Sequence, residues 1–284
     1  MSSDNNATLD KFLCETNSLV EKLHSKFCKA TLLVHKKASN IGVRAELGRY
    51  PLCIAIVSQI AKYFVNVCNK RQESIIKEAF LSQMGMLDIN YKRSWFSLLN
   101  FISKRTEWKV TCNKDNDYIP SVDIKRYLRN KYEGIVYNLL ENEKKLHVLY
   151  STKKSFGPSQ YLSYVTNYKY RQAFTKMRIS AHKFPIEVGR YRSVPRNERL
   201  CNLCQNKEIG DELHYFIRCS DNYLNSIRQT FLNSIFANCV ELQRLPESCL
   251  FKYLMSGYDE TVIRRTAQYV HDIMYYYVQT TSNT

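Results

Sequence analysis

Three cysteines and one histidine near residue 210 have the residue types and the spacing of metal ligands. Cys201, Cys204, His214 and Cys219 form the pattern C-x2-C-x9-H-x4-C. Three thiolates and one neutral imidazole make a complete tetrahedral set for Zn²⁺, and four protein ligands leave no position for a reactive water. The pattern therefore predicts a structural zinc site. A redox Cys-x-x-Cys pair and merely buried cysteines are the alternatives.

A second group of chemically active side chains lies just before this cluster. Residues 151–200 hold eleven Lys and Arg, two Asp and Glu, and eight aromatic residues. Cations neutralise phosphates and rings stack on bases, so this composition is typical of a surface for single-stranded nucleic acid. A solvated basic face over aromatic core positions is the alternative. The predicted nucleic-acid-binding residues are Lys169, Arg171, Lys176, Arg178, Lys183, Arg190, Arg192, Arg196 and Arg199.

Motifs of enzymatic chemistry are missing from the sequence. There is no Asp-Asp dipeptide to hold the metal ions of a polymerase, and no G-x-x-x-x-G-K-[ST], H-E-x-x-H or G-x-S-x-G motif. We therefore predict no catalytic residue and a protein that is not an enzyme. His182 is a further candidate metal ligand, but a hydrogen-bonded structural histidine is the favoured interpretation.

The elements that must position these side chains are predicted to be helices. Glycine and proline are few, at 8 and 6 residues, and 44% of the residues are hydrophobic. Apolar residues recur at helical spacing, whereas residues 183–220, which contain the metal ligands, are predicted to be an irregular segment. The predicted helices cover about 9–34, 40–47, 51–68, 73–83, 91–103, 123–140, 160–178, 222–237, 246–255 and 260–277.

This pattern predicts an all-α fold: an irregular multi-helix assembly with a small CCHC zinc-knuckle-like segment. We predict four segments along the chain: a helical domain at 1–150, a basic aromatic-rich helix and connector at 151–200, the zinc-knuckle-like segment at 201–220, and C-terminal helices at 221–284. The helix at 51–68 is apolar nearly all round, so we expect it to be central and buried.

The sequence also bears on cellular location. The strongest apolar run, at 51–61, is shorter than the roughly 18 residues of a membrane span, and the first residues do not resemble a secretory signal. The cysteines outside the cluster are scattered through helical patterns, as expected for reduced thiols. We expect an intracellular protein, nuclear or cytoplasmic, without a membrane partner.

Short motifs spread along nearly the whole chain resemble one known family. They are Leu23–Lys29, Glu46–Leu52, Ile60–Tyr63, Lys176–Lys183, Glu187–Tyr191 and Cys201–Cys219, the last three being the more specific. With these motifs the chain resembles the region downstream of the polymerase domain in reverse transcriptases of invertebrate non-LTR (LINE-type) retrotransposons. The resemblance implies a tail whose CCHC zinc site helps to hold the RNA of the element or its target DNA. Asn202, Ser220 and Ala181 depart from the usual pattern and leave the ligands intact.

The expected function is therefore that of a non-catalytic module binding RNA or single-stranded DNA. Because the polymerase and endonuclease domains do not accompany the tail, we expect a truncated or repurposed copy. One alternative is a scaffold for an unknown protein partner, which would use the tyrosines of the last helix: Tyr269, Tyr275, Tyr276 and Tyr277. The other is a retroelement remnant without a retained role.

Overall fold

The computed structural model describes residues 9–14, 17–71, 73–88, 95–104, 122–257 and 259–282. Over these residues the prediction of an all-α fold is confirmed, since the regular elements are helices and the only β-type pairing is an isolated bridge between Leu200 and Ile209. Residues 9–14 are helical. The helices that follow are α1 (Leu19–Thr31), α2 (Asn40–Leu47), α3 (Leu52–Cys68), α4 (Ile75–Asp88), α5 (Trp95–Ser103), α6 (Val122–Asn142), α7 (His147–Thr152), α8 (Tyr161–Tyr164), α9 (Tyr168–Arg178), α10 (Pro185–Tyr191), α11 (Asn222–Phe236), α12 (Glu247–Ser256) and α13 (Glu260–Ser282).

The chain divides into two compact units. The first holds Met1–His24 and Tyr50–Val136, and the second holds Ser25–Arg49 and Tyr137–Thr284. The predicted helical domain 1–150 is shared between the two units, and the other three predicted segments all lie in the second. No single helix in the described part of the chain is long and apolar enough to cross a membrane, whereas the consecutive helices α2 and α3 together meet that test of length and composition.

In the first unit, α3 packs against α4 and α5 through one face. Ile54 and Phe64 are buried on this face, and the ring centroids of Phe64 and Phe80 lie 5.6 Å apart. The opposite face is open, with Ile56 47% and Tyr63 52% exposed. The prediction that α3 is buried all round is therefore wrong, because its neighbours cover only one of its sides.

Helix α1 presents its apolar stripe outward. Leu19, Leu23 and Phe27 are 84%, 69% and 58% exposed, whereas Glu21 is buried. The Glu21 carboxylate accepts a hydrogen bond of 3.1 Å from the backbone N–H of Cys53, in the first turn of α3. The N-cap residue of α3, Pro51, makes no side-chain hydrogen bond to this turn. Free N–H groups at a helix start favour a carboxylate. Glu21 shares the buried face of α1 with Ser25 and Cys28.

In the second unit, α9 lies along α13, and this is the most extensive helix pair among the described helices. Phe174 and Met177 of α9 and Ile263 and Val270 of α13 are buried together in its core. The predicted helix 160–178 is divided into α8 and α9. The division follows from Asn167, whose side chain accepts a hydrogen bond from the N–H of Lys169 and so begins a new helix.

Helix α2 is bounded as predicted. The Ser39 hydroxyl oxygen accepts from the N–H of Gly42 at 3.3 Å, and Gly48 ends the helix in the left-handed conformation, with φ of +60°. A Cβ atom at Gly48 would collide with the backbone of Gly157 and Pro158. Glycine is therefore needed at this position both for the conformation and for the close approach of a second chain segment.

Candidate metal centre and basic clefts

The structure brings the four predicted ligands into one cluster. Their ligand atoms all lie within 4.8 Å of one another, with 3.8 Å between the sulfurs of Cys201 and Cys219 and 3.4 Å between Cys204 Sγ and His214 Nε2. A tetrahedral zinc ion separates two sulfur ligands by about 3.8 Å and a sulfur from a nitrogen by about 3.5 Å. A disulfide needs only about 2.05 Å between its sulfurs. The cluster therefore has the dimensions of a site for one metal ion.

A short hairpin-like loop at 199–210, here called the metal loop, carries the first two ligands. The N–H of Cys201 donates to the carbonyl of Glu208 at 2.8 Å, and the N–H of Gly210 donates to the carbonyl of Arg199 at 2.9 Å. These bonds close the loop around Cys204. Because the loop ends are fixed, Cys201 and Cys204 face the same point.

Gly210 is the position at which this loop packs against a neighbouring segment. The left-handed residue of this loop is Lys207, with φ of +53°, and not Gly210. A Cβ atom at Gly210 would lie 3.0 Å from the Pro185 side chain and 3.2 Å from the Cα atom of Cys201. Glycine therefore lets the metal loop pack closely against the start of α10.

Of the other two ligands, His214 begins a π-helical turn, His214–Arg218, and Cys219 directly follows it. The N–H of Cys219 donates to the carbonyl of His214 at 2.8 Å. This bond joins residue i+5 to residue i, which is the hydrogen-bond pattern of a π-helix. The carbonyl of Phe216 accepts from the Tyr269 hydroxyl at 2.7 Å, and the carbonyl of Cys219 accepts from the Arg228 guanidinium at 2.8 Å. Buried side chains thus satisfy one carbonyl of this irregular turn and the carbonyl of Cys219 after it.

The imidazole of His214 is oriented for coordination. Its Nδ1 atom bonds the Glu208 carboxylate at 2.9 Å, which leaves Nε2 to face the sulfurs. Burial lowers the pKa of His214, but hydrogen bonds with Cys201 and Glu208 raise it to about 9. The hydrogen bond from the Cys219 thiol lowers the pKa of Cys201 to about 3. Because metal ligands must be deprotonated, binding of a metal ion would release the Nε2 proton of His214 and the thiol protons of the cluster.

The Glu208 contact gives a first prediction. We expect Glu208→Ala to weaken metal affinity by about 10- to 100-fold, because a carboxylate bonded to a ligating histidine fixes its ring and raises its basicity. The affinity is measured by competition with a chromophoric chelator. Glu198→Ala, at an exposed position nearby, is the matched control. Equal metal affinity for the two variants would show that Glu208 does not orient the ligand.

His182 is not part of this cluster. Its Nε2 atom bonds the buried carboxylate of Glu212 at 2.9 Å, and its Nδ1 atom accepts from the N–H of Phe184 at 3.3 Å. Burial raises the pKa of Glu212, but hydrogen bonds with His182 and Ser180 lower it to about 2. The interpretation of His182 as a structural residue is confirmed. The hydrogen bond between His182 and Glu212 joins the segment before α10 to the segment that carries the metal ligands.

Two adjoining clefts in the second unit collect cationic side chains. The first, here called the lysine cleft, has a volume of about 360 Å³ and is lined by Lys37, Lys145, Lys176 and Lys183 among others. The second, here called the arginine cleft, has a volume of about 320 Å³ and is lined by Lys144, Lys145, Arg190, Arg196 and Arg199 among others. Both clefts include Lys145 and Glu187 in their walls.

Glu187 lies where the clefts meet, and Tyr191 lines the lysine cleft. Burial raises the pKa of Glu187, but hydrogen bonds from Arg190 and Lys145 lower it below its usual range, so this carboxylate is ionised. The Tyr191 ring is 53% exposed, and the Arg190 guanidinium and the Lys145 ammonium lie 4.5 and 5.6 Å from its centroid. An exposed ring with two adjacent cations is suited to stacking on a base.

The structure groups some of the predicted nucleic-acid-binding residues and separates others. Lys176 and Lys183 line the lysine cleft, and Arg190, Arg196 and Arg199 line the arginine cleft. Three further predicted residues line neither of these clefts: Lys169, Arg171 and Arg192. Lys169 and Arg192 are exposed, and Arg171 is half-buried.

Two predicted contacts are corrected because their guanidinium groups are used within the fold. Arg178 is 1% exposed, and it donates to the buried Glu46 carboxylate at 2.5 Å and to the carbonyl of Met255. Arg199 donates to the carbonyls of Val194 and Ile186 at 2.9 and 3.0 Å. Arg178 is therefore a structural residue that cannot reach a phosphate, and Arg199 holds the wall of its cleft.

Sequence reasoning missed three lysines of the clefts. Lys37, Lys144 and Lys145 come from outside the basic segment 151–200. Two Lys-Lys pairs, at 36–37 and 144–145, are the available signal, although a lysine pair alone does not indicate which surface it joins.

Comparison of the chain with protein-family models, curated proteins and solved structures gives no match. The resemblance to retrotransposon reverse transcriptases rests on the sequence motifs and stays a prediction. The geometry of the metal centre and of the two clefts is therefore what indicates a function.

Proposed function

We propose that this protein is a zinc-stabilised, non-catalytic module that binds single-stranded RNA or DNA through the surface around the two clefts. Zinc is the metal that suits three thiolates and one imidazole in a closed set of four ligands. Such a site stabilises structure and supplies no reactive water. Reduced thiols of this kind belong to an intracellular compartment, nuclear or cytoplasmic.

The observation that carries this proposal is the charge of the two clefts. Together they are lined by eight lysines and arginines and by two glutamates. This excess of positive charge lies beside the exposed ring of Tyr191. A polyanion whose bases are unpaired offers both the phosphates and the flat faces that such a surface can contact.

The metal centre would hold this surface in shape. The carbonyl of Gly210, in the metal loop, accepts from the N–H of Ile186 in α10 at 3.2 Å. The Arg196 guanidinium lies 3.6 Å from the carboxylate of Asp211, three residues before His214. Because these contacts join ligand-bearing segments to cleft walls, we expect metal loss to weaken nucleic-acid binding as well as stability.

Base preference is expected to be weak. Phosphate contacts position a strand without reading its sequence, and every base has a face on which a ring can stack. The resemblance to reverse transcriptase tails implies the same class of partner, the RNA of an element or its target DNA.

A salt series tests the proposal. We expect the affinity for a single-stranded oligonucleotide to fall as salt rises, because binding releases counterions. The double substitution Arg190→Gln with Arg196→Gln should reduce the slope of log K against log salt by about 1.4, since each lost phosphate contact on a single strand contributes roughly 0.7. Fluorescence anisotropy of a labelled strand gives the affinity at each salt concentration.

The matched control for this series is the pair Lys26→Gln with Lys252→Gln, two exposed lysines outside both clefts. It removes the same charge and should leave the slope nearly unchanged. Undetectable binding by the unsubstituted protein, or an affinity independent of salt, would reject the proposed function.

The scaffold alternative finds less support in the last helix. Tyr269 and Tyr277 are 4% and 5% exposed, and their hydroxyls are bonded within the fold, whereas Tyr275 is 60% exposed. Buried rings of this kind stabilise the second unit. They are not available to a partner helix.

A further inference from the structure

The lysine cleft gathers cations from four separate segments of the second unit. Lys37 lies in the loop after α1, Lys145 in the turn before α7, Lys176 on α9 and Lys183 in the segment before α10. Like charges repel, so folding four lysines around one space costs free energy unless an anion offsets it. The positions therefore favour a negatively charged ligand.

The cleft contains little negative charge of its own. Among the described residues that line it, Glu187 is the only carboxylate, and this carboxylate already accepts hydrogen bonds from Lys145 and Arg190. Burial, followed by the charge of Lys183, lowers the pKa of Lys176. The positive charge of Lys176 and Lys183 is therefore not balanced by a carboxylate of the cleft.

The rest of the cleft is apolar. Phe184 and Tyr277 line it and are almost fully buried, and their ring centroids lie 5.0 Å apart in an edge-to-face arrangement. Met274 and Val278 are half-buried beside them. This floor distinguishes the lysine cleft from the arginine cleft, where Ile186 is the only apolar side chain in the described lining.

The wall that carries Lys37 is fixed in place. Leu33 adopts a left-handed conformation, with φ of +54°, in the turn that ends α1, and its carbonyl accepts a hydrogen bond of 2.6 Å from the Gln172 side chain on α9. A leucine in this conformation is strained by roughly 1 kcal/mol, which tertiary contacts must offset. The cleft is therefore preformed between the loop after α1 and α9.

We propose that the lysine cleft binds one nucleotide, with its phosphate against the lysine ammonium groups and its base against the apolar floor. A volume of about 360 Å³ suits one small ligand and not a long segment. The inference rests on the proposed function in that the nucleotide belongs to a bound strand. A free nucleoside monophosphate has the same chemistry and is the other source of this ligand.

The test uses the full zinc-loaded chain and two kinds of probe. Calorimetric titrations with adenosine monophosphate, adenosine and inorganic phosphate give three affinities, which show whether phosphate and base are needed together. Fluorescence anisotropy of a labelled single-stranded oligoadenylate gives the affinity for a nucleotide within a strand. We expect the monophosphate to bind at least about tenfold more tightly than either of its parts, because stacking and ion pairing each contribute on this scale.

The variant Lys176→Gln with Lys183→Gln should lose about tenfold or more in affinity for the monophosphate. The control pair Lys26→Gln with Lys252→Gln should match the unsubstituted protein. Urea unfolding curves of each variant and of the unsubstituted protein check that the variants are folded. If the monophosphate is not bound but the cleft variant weakens oligoadenylate binding more than the control pair does, the occupant is a nucleotide within a strand, and the proposal stands.

Other outcomes separate this inference from the proposed function. If oligoadenylate binds and the cleft variant behaves like the control pair with both probes, the cleft proposal is overturned while nucleic-acid binding survives. If the monophosphate binds as expected and oligoadenylate does not, the cleft stands as a site for free nucleotides and the proposed function fails. Measurable but equal affinities for the monophosphate, adenosine and phosphate overturn the cleft proposal. Equal displacement of the bound monophosphate by polyglutamate and by oligoadenylate also overturns it.

Discussion

Replacement of Cys219 by serine is expected to abolish stoichiometric zinc binding and to destabilise the second unit by several kcal/mol. Cys219 is fully buried, and its sulfur lies 3.8 Å from that of Cys201. A structural zinc ion binds with about 10–16 kcal/mol of apparent free energy, which is available only to the folded chain. Loss of one thiolate removes a large part of this coupling, because three ligands no longer close the tetrahedron.

Three measurements check this prediction. Metal analysis should find one zinc per unsubstituted chain, and cobalt substitution should give the absorption bands of tetrahedral thiolate coordination. Thermal unfolding with and without a chelator should show a large shift for the unsubstituted protein and little further shift for Cys219→Ser. Cys249→Ser is the matched control, because Cys249 is an exposed cysteine outside the cluster.

An unsubstituted protein that contains no zinc, or that keeps its unfolding temperature when zinc is removed, would contradict a structural metal site. Nucleic-acid binding by the chelated protein at full affinity would contradict the coupling between the metal loop and the clefts. The first result concerns folding, and the second concerns the shape of the cleft walls.

Replacement of Arg178 by methionine is expected to destabilise the protein by about 3–5 kcal/mol, because it leaves the carboxylate of Glu46 buried without its cationic partner. Glu46 is fully buried and also accepts a hydrogen bond from the Ser159 hydroxyl, so it cannot turn to solvent. Arg178 also donates to the carbonyl of Met255, and this backbone group would lose its partner.

Urea unfolding measures this effect. Arg171→Met, on the same helix α9 and half-buried, is the matched control and should change stability by no more than about 0.5 kcal/mol. At temperatures where both variants are folded, nucleic-acid affinity should be similar for the two. A stable Arg178→Met variant with a specific loss of affinity would instead restore Arg178 as a contact to nucleic acid.

Features that depend on neighbouring residues were predictable from the sequence. The bounds of α2 follow from Ser39 and Gly48, because capping and left-handed conformations are set within a few residues. The helices predicted at 222–237 and 246–255 correspond to α11 and α12 within one residue at each end. The metal cluster was predictable for the same reason, since its ligands lie within nineteen residues of one another.

What only the tertiary structure decided depends on partners far along the chain. A basic side chain in the sequence can contact solvent, a ligand or a buried carboxylate, and Arg178 differs from Lys176 because Glu46 lies beside it. The inward face of α1 is likewise the one that carries Glu21, whose partner lies in α3. Lys37 and Lys145 join the lysine cleft because packing brings their segments to α9. Local periodicity and spacing hold no information about such pairings, whose free energy arises only when distant segments meet.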